Sequence, residues 1–258
     1  MHRFANQAFL MNKKNNIHVF IISWTGMHTN SIDIASKICD SVHKTTLIYS
    51  DENPELAIDT CWHAVRVSNE WFFGKKFESC LTLCESELML VIHGDVVCND
   101  WPNLVDRCSG CFVEQKILGV WAPAVDYTPY SLDKTFLGKL GDGSLSIVAQ
   151  TDGIVFAIAA SVRNRLARLN YENNKYGWGI IWAAMVFCYA NKLLAVTDET
   201  IKVMHPKSRG YDSSEAERQM RVFLRQLDIH EQILCALLQS YIGYRSLTNP
   251  NQAGPDIS

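Results

Sequence analysis

The chain has 258 residues, 48% of them hydrophobic and 20% charged, which is enough apolar content for a sizeable core and excludes a disordered or collagen-like chain. Its 24 Lys plus Arg against 27 Asp plus Glu give a formal net charge of -3, so it has no general attraction for phosphate backbones and does not read as a dedicated nucleic-acid binder. A helix needs about 20 consecutive apolar residues to cross a bilayer, and the longest near-apolar run, Gly179 to Ala190, falls short of that.

The opening MHRFANQAFL lacks an extended apolar segment with a small-residue cleavage site, so the expected location is the cytoplasm. The nine cysteines are odd in number and scattered. They are expected to be buried free thiols rather than a disulfide framework. Only Cys108-Ser-Gly-Cys111 has metal-like spacing, and no second pair lies at zinc-ribbon distance.

In chain order, the β-rich run Ile17 to Ser23 predicts a buried strand stopping at Trp24-Thr25-Gly26. A helix follows, capped by Thr29 or Asn30, with Ile32, Ile34, Ala35, Ile38 and Val42 near helical spacing. The unit then repeats: strand 45–49, strand 64–67, helix 77–84, strand 88–92. Such alternation is most economically folded as parallel strands with right-handed helical crossovers, whose ligands gather at the carboxyl ends of the strands. Beyond it come a short helix at 101–111 and a strand at 117–122. A polar, Gly-rich loop is expected at 126–143, then strands at 144–150 and 154–159.

The later part is read as helices at 160–169 and 178–191, the second so apolar that it belongs in the core, and a last strand at 195–204. From Ser214 to about Tyr241 the apolar positions Met220, Phe223, Leu224, Leu227, Leu234, Leu237, Leu238 and Tyr241 share one helical face. That stripe suits packing on the domain, a homodimer contact, or attachment to the inner face of a membrane. Packing is preferred, because the polar face mixes Arg218, Arg221 and Arg225 with Glu215, Glu217, Asp228 and Glu231. The expected organisation is a domain over 1–213, an amphipathic helical region over 214–247 and a disordered tail over 248–258.

Four features fall at strand ends. The apolar strand Leu88 to Ile92 runs directly into His93-Gly94-Asp95, where a carboxylate at the mouth of a sheet is placed to hold a hard divalent cation; as an alternative, Asp95 caps the turn. Ser50-Asp51-Glu52-Asn53-Pro54 offers an acid to a ribose or base, or is an ordinary turn. In Gln150-Thr151-Asp152-Gly153 the glycine allows close backbone approach and the acid can bind hydroxyls. Met204-His205-Pro206 ends a strand on an imidazole that suits a metal such as manganese. At the same mouth, Lys75 in Trp71-Phe72-Phe73-Gly74-Lys75-Lys76 is positioned to meet a diphosphate.

Together these features resemble the nucleotide-sugar-dependent glycosyltransferases with the GT-A fold, particularly bacterial enzymes of the family-2-like group, over roughly residues 17–212. The resemblance implies a Rossmann-like α/β domain, a mixed and mostly parallel sheet flanked by helices, with a C-terminal helical extension. It also implies transfer of a sugar from a nucleoside diphosphate sugar to a hydroxyl of a glycan or lipid-linked acceptor in cell-surface polysaccharide biosynthesis, assisted by Mn or Mg. The first-strand turn Ser23-Trp24-Thr25 and Asp51 match the nucleotide contacts. The family's Asp-X-Asp metal motif corresponds to His93-Gly94-Asp95, with Asp95 and His205 as ligands and His93 as helper.

The most specific string is Tyr176-Gly177-Trp178-Gly179-Ile180-Ile181. In relatives an Asp base stands where this chain has Ile181, and Trp178 matches a platform for a sugar ring, whereas Trp182 is read as core. Isoleucine cannot take a proton. Asp152 or Glu172 is then the base, or the reaction is retaining, or the protein is a sugar-nucleotide-binding subunit supporting a partner transferase. A nucleotidyltransferase is the weaker rival, because Trp24-Thr25-Gly26-Met27-His28 contains no Lys or Arg.

Overall fold

The structure, a computed structural model, describes residues 15–50, 61–141, 143–205 and 211–248. Its first half alternates β1 (Asn15–Ile22), α1 (His28–Ile38), β2 (Val42–Ser50), β3 (His63–Val67), α2 (Phe73–Leu83) and β4 (Leu88–His93). There follow β5 (Val97–Cys98), α3 (Trp101–Glu114), β6 (Leu118–Val125), α4 (Leu132–Thr135), β7 (Phe136–Leu140), β8 (Leu145–Val148), β9 (Val155–Ala159) and α5 (Ala160–Leu166). The chain continues as α6 (Ile180–Ala190), β10 (Leu194–Met204), α7 (Ser213–Leu224) and α8 (Ile229–Thr248).

One sheet joins the strands in the order β3-β2-β1-β4-β9-β6-β10-β8-β7, with β5 pairing with β10 off that path. Strands β1 to β4 pair in parallel, as does β6 with β10, while β9 runs antiparallel between β4 and β6. Both faces are buried, which explains why β1 and β4 are near-continuous apolar runs instead of alternating ones. On one face Phe20 and Ile22 join a core with α2, α5 and α6, and on the other Ile17, Val19 and Ile21 join a core with α1 and α3. Helix α6 buries eight of its eleven residues, Trp182 among them, as an all-apolar helix must.

The structure corrects the expectations at several places. Helix α1 begins at His28 with no side-chain cap, so Thr29 and Asn30 lie within its first turn instead of capping it. Residues 126–143 are not all loop: they contain α4 and β7, which forms a hairpin with β8. The C-terminal helical stretch is two helices. It breaks at Asp228, whose Oδ1 accepts from the Glu231 amide at 2.9 Å while Glu231 Oε2 accepts from the Asp228 amide at 3.1 Å. That reciprocal pair is a capping box, which starts a new helix. The cysteines are not all free, since Cys39 at the end of α1 forms a disulfide with Cys61. The two residues come within reach because β2 and β3 pair in parallel beside α1, which spacing along the chain does not reveal. Cys80, Cys108, Cys111, Cys188 and Cys235 are buried thiols as expected. The tail beyond Thr248 lies outside the described residues.

Candidate active site

The carboxyl end of β4 delivers His93, and the chain then turns through Gly94 to Asp95. Three bonds fix that turn: the His93 amide donates to Ile154 O at 2.9 Å, the Gly94 amide to Ile22 O at 2.8 Å, and Asn30 Nδ2 from α1 to Gly94 O at 2.6 Å. Immediately after it, β5 pairs antiparallel with the end of β10, Val97 opposite Met204 and Cys98 opposite Val203. This two-residue pairing carries His205 to Asp95, with Nε2 3.4 Å from Asp95 Oδ2. The His205 amide is held by Asp126 Oδ1 at 3.1 Å. His93, Asp95 and His205 thereby present one ligand atom each within 4.8 Å of one another.

The electrostatics of the three differ. Burial brings the His93 imidazole down to about 4, outweighing the opposing pull of Asp95, so it is neutral near pH 7. Burial works against the ionised Asp95 as well, yet the hydrogen bond from His205 and the two imidazoles leave its carboxyl below the ordinary range. Burial would lower His205, but Asp95, Asp152 and Asp126 outweigh it and raise the imidazole. An ionised carboxylate with two imidazole nitrogens is a donor set suited to a divalent transition metal. Asp95 Oδ1 and His93 Nε2 are buried without hydrogen-bond partners, as atoms kept for a ligand would be.

Unpartnered polar atoms concentrate here. Six of the eleven buried side-chain N and O atoms that lack partners among the described residues belong to Ser23, His28, His93, Asp95 and Thr151, so the mouth of β1, β4 and the loop before β9 is where the fold leaves hydrogen-bonding capacity open. Two residues here were not anticipated from sequence. His28, at the start of α1, has both ring nitrogens buried without partners and its ring edge against Tyr49 at 5.0 Å. Lys76 is 1% exposed, with Nζ donating to Ser23 O at 2.7 Å and Ser50 Oγ at 2.9 Å, and it thereby ties together the ends of β1 and β2.

The residues anticipated from sequence are placed unevenly. Ser23 is fully buried, Trp24 sets its ring edge 5.3 Å from His93, and Thr25 is exposed, donating to Asn69 Oδ1 at 3.1 Å. Asp51 lies outside the described residues. Lys75 points away from Lys76 and pairs with Glu78 at 2.8 Å. Asp152 is half-buried and close enough for its charge to act on His205. Glu172 is exposed on the turn after α5, where Asn170 Oδ1 accepts from its amide at 2.8 Å, and no described contact joins it to the triad.

Gly153 has φ +83°, and a Cβ there would stand 2.7 Å from Ile181 Cγ1. Ile181, at the start of α6, therefore packs against the backbone of Gly153, the residue that follows Asp152 in the chain.

The Gly-Trp-Gly segment forms the outer wall. Gly177 and Gly179 have φ of +75° and +92°, and a Cβ on Gly177 would stand 2.2 Å from the Phe73 ring; Phe73 in turn packs on His93 at 4.6 Å. Trp178 donates from Nε1 to the Tyr211 hydroxyl at 2.9 Å. Tyr211 stacks on Tyr176 at 4.5 Å, and Phe72 meets both edge-on. Phe72, Tyr176, Trp178 and Tyr211 thus form a partly exposed aromatic cluster on the segment that Phe73 joins to His93.

No protein-family model matches the sequence, and no curated protein is similar to it. Solved structures are similar in fold. GalNAc-T7 with UDP, GalNAc and Mn2+ superposes with a TM-score of 0.63 at 11% identity over 95% of this chain and 53% of that one. This chain therefore spans about half the length of that protein. A mannosyltransferase from Pyrobaculum calidifontis with GDP-Man and Mn2+ gives 0.55 at 10% identity over 93% of this chain and 76% of that one. Glucosyl-3-phosphoglycerate synthase from Mycobacterium tuberculosis with Mn2+, UDP and phosphoglyceric acid gives 0.52 at 12% over 88% and 78%. At these identities the likeness is one of fold, and the fold is that of the GT-A glycosyltransferases.

Proposed function

We propose that the protein transfers a sugar from a nucleoside diphosphate sugar to a hydroxyl of a glycan or lipid-linked acceptor, in cell-surface polysaccharide biosynthesis on the cytoplasmic side. The observation that carries this reading is the meeting of His93, Asp95 and His205 at the strand mouth, amid buried polar atoms that have no partners. Asp95, His205 and His93 would hold Mn or Mg, and such an ion would supply charge neutralisation for a leaving diphosphate. Mn2+ accompanies UDP in the structures of GalNAc-T7 and the synthase, and Mg2+ accompanies UDP in another structure of the synthase.

The remaining roles fall to this chain's own groups. The Ser23-Trp24-Thr25 turn and Asp51 bind the nucleoside, and Lys76 ties together the ends of β1 and β2. Lys75 stays a candidate for the diphosphate only if its pairing with Glu78 is exchanged. Gly153 lets the backbone approach the donor sugar, and Trp178 with its aromatic neighbours receives the acceptor. Of the two carboxylates considered as base, Asp152, whose charge acts on His205, is the one assigned to take the proton of an attacking hydroxyl. Glu172 would have to act from the surface.

A second reading has its own observation. Ile181 packs on Gly153 where a carboxylate would serve an inverting reaction, and this favours a binding subunit that holds donor for a partner transferase. One experiment separates the readings: thermal shift with nucleoside diphosphate sugars, with and without Mn2+, followed by assay of diphosphate release. Metal-dependent stabilisation with release supports the transferase. Stabilisation without release supports the binding subunit, and no stabilisation by any nucleotide rejects both.

A further inference from the structure

The solvent side of α8 is uncharged over twenty residues. Among the described residues, its two charged side chains both turn inward: Glu231 pairs with Arg165, and Arg245 donates to the Asp133 carbonyl at 2.8 and 3.0 Å. Five of the thirteen exposed large apolar side chains of the described residues lie on this one face, namely Ile229, Ile233, Leu237, Tyr244 and Leu247, at 54% to 82% exposure. They form a continuous patch instead of the scatter expected on a monomer.

The pattern along the face is also regular. Ile229, Ile233, Ala236, Ser240, Gly243 and Leu247 succeed one another at intervals of four and three, the seam along which two helices pack. The middle of the seam is small, and Leu237 and Tyr244 stand beside it.

We propose that α8 is a homodimer interface, pairing antiparallel with α8 of a second copy of this chain about a two-fold axis at Ser240. Reversing the helix about that residue sets Leu237 over the partner's Gly243, Tyr244 over the partner's Ala236, and Ile233 against the partner's Leu247. Two of these contacts place a large side chain over a small one, and the two-fold repeats each of them. A Cβ added at Gly243 meets no atom within 4 Å, so the groove that receives Leu237 is open in the single subunit. The face carries no Asp, Glu, Lys or Arg, and so pairing strands no charge.

The size is adequate. The five large side chains present roughly 500 Å² of apolar surface, and two helices of about 30 Å with their flanks bury about 800 Å² per partner, the standard for stable association. A lipid surface is the poorer occupant, because a membrane-surface helix gathers Lys and Arg beside its apolar face and this one has none exposed. The interface is independent of the chemistry proposed above.

Sedimentation equilibrium of the full chain at up to about 100 μM, which detects affinities weaker than micromolar, should give a dimer. Gly243→Leu should weaken that dimer at least tenfold while leaving the melting temperature of the subunit equal or higher, because it replaces a weak helix former at an open position. Ser240→Cys chains should be joined to each other by a short bismaleimide, and parental chains should not. A monomer at the highest concentration, a dimer indifferent to Gly243→Leu, or a monomer that co-sediments with phosphatidylcholine vesicles would each overturn the proposal.

Discussion

Gly153→Ala tests whether the wall of the site is built as described. The residue has φ +83°, and the new methyl would stand 2.7 Å from Ile181 Cγ1, so two separable costs arise. Left-handed backbone costs a non-glycine residue about 1–2 kcal/mol. Forcing a carbon into a packed contact costs about 1–3 kcal/mol more, for a total of about 2–5 kcal/mol.

Only the second cost depends on Ile181. Ile181→Ala by itself opens a cavity and should cost about 2–5 kcal/mol, but it removes the atom with which the methyl collides. In the double variant the clash disappears and the backbone term remains, so the pair should be less destabilised than the sum of the singles by about 1–3 kcal/mol. Urea unfolding of the parent, both singles and the double measures this coupling directly. Strict additivity, or a Gly153→Ala cost below about 1 kcal/mol, would refute the contact between Gly153 and Ile181.

Further outcomes follow from the same geometry. Asp95→Ala should abolish Mn2+ binding, read by the electron paramagnetic resonance of free Mn2+, and the metal-dependent part of donor stabilisation, while unfolding stays cooperative; retained binding places the metal elsewhere. Asp198 is fully buried and receives Arg107 Nε at 2.7 Å together with the Thr200 amide and hydroxyl, so Arg107→Ala strands a buried carboxylate and should cost about 3–5 kcal/mol in denaturant unfolding. His18 accepts from the Glu85 amide at Nδ1 and meets Thr46 Oγ1 through Nε2, and burial brings its imidazole from 6.5 to about 4. The unfolded chain therefore takes up a proton below pH 6.5 that the folded chain refuses until about pH 4; stability should fall as pH drops through that window, at up to about 1.4 kcal/mol per pH unit for this proton, and His18→Gln should remove that share of the slope.

How much of this was legible in the sequence depended on whether the deciding physics was local. The strand-helix alternation from β1 to β4 was readable because β1, β2 and β4 are apolar runs buried on both faces of the sheet. Strand β5 was not, since Val97 and Cys98 carry no periodicity and are a strand only because β10 lies beside them. Strand β7, with Gly138 and Lys139 in it, reads as loop until β8 pairs with it. The break before α8 was readable and was missed: Asp228 and Glu231 stand at capping-box spacing inside a stretch whose apolar period runs straight through them.

At the site the same division decides which residues were found. Asp95 and His205 could each be singled out because a polar group that ends a buried strand needs a use, but 110 residues separate them, and what unites them is the β5 and β10 pairing that local pattern does not contain. Lys75 and Lys76 show a subtler failure. Position alone favours neither lysine, but helical phase does: Lys76 lies one turn before Cys80, on the buried face of α2, and Lys75 lies one turn before Glu78 on the outer one. The inward lysine was thus predictable from period, and its work follows from its burial: an ammonium at 1% exposure must be met by hydrogen-bonding partners, and Ser23 O and Ser50 Oγ are among those that receive it where β1 and β2 open. A side chain buried at the ends of β1 and β2 ties together the strand ends of a mouth in which Ser23, His28, His93, Asp95 and Thr151 leave six buried polar atoms without hydrogen-bond partners among the described residues, so the helical phase of α2 and the shape of that mouth are set by the same residue.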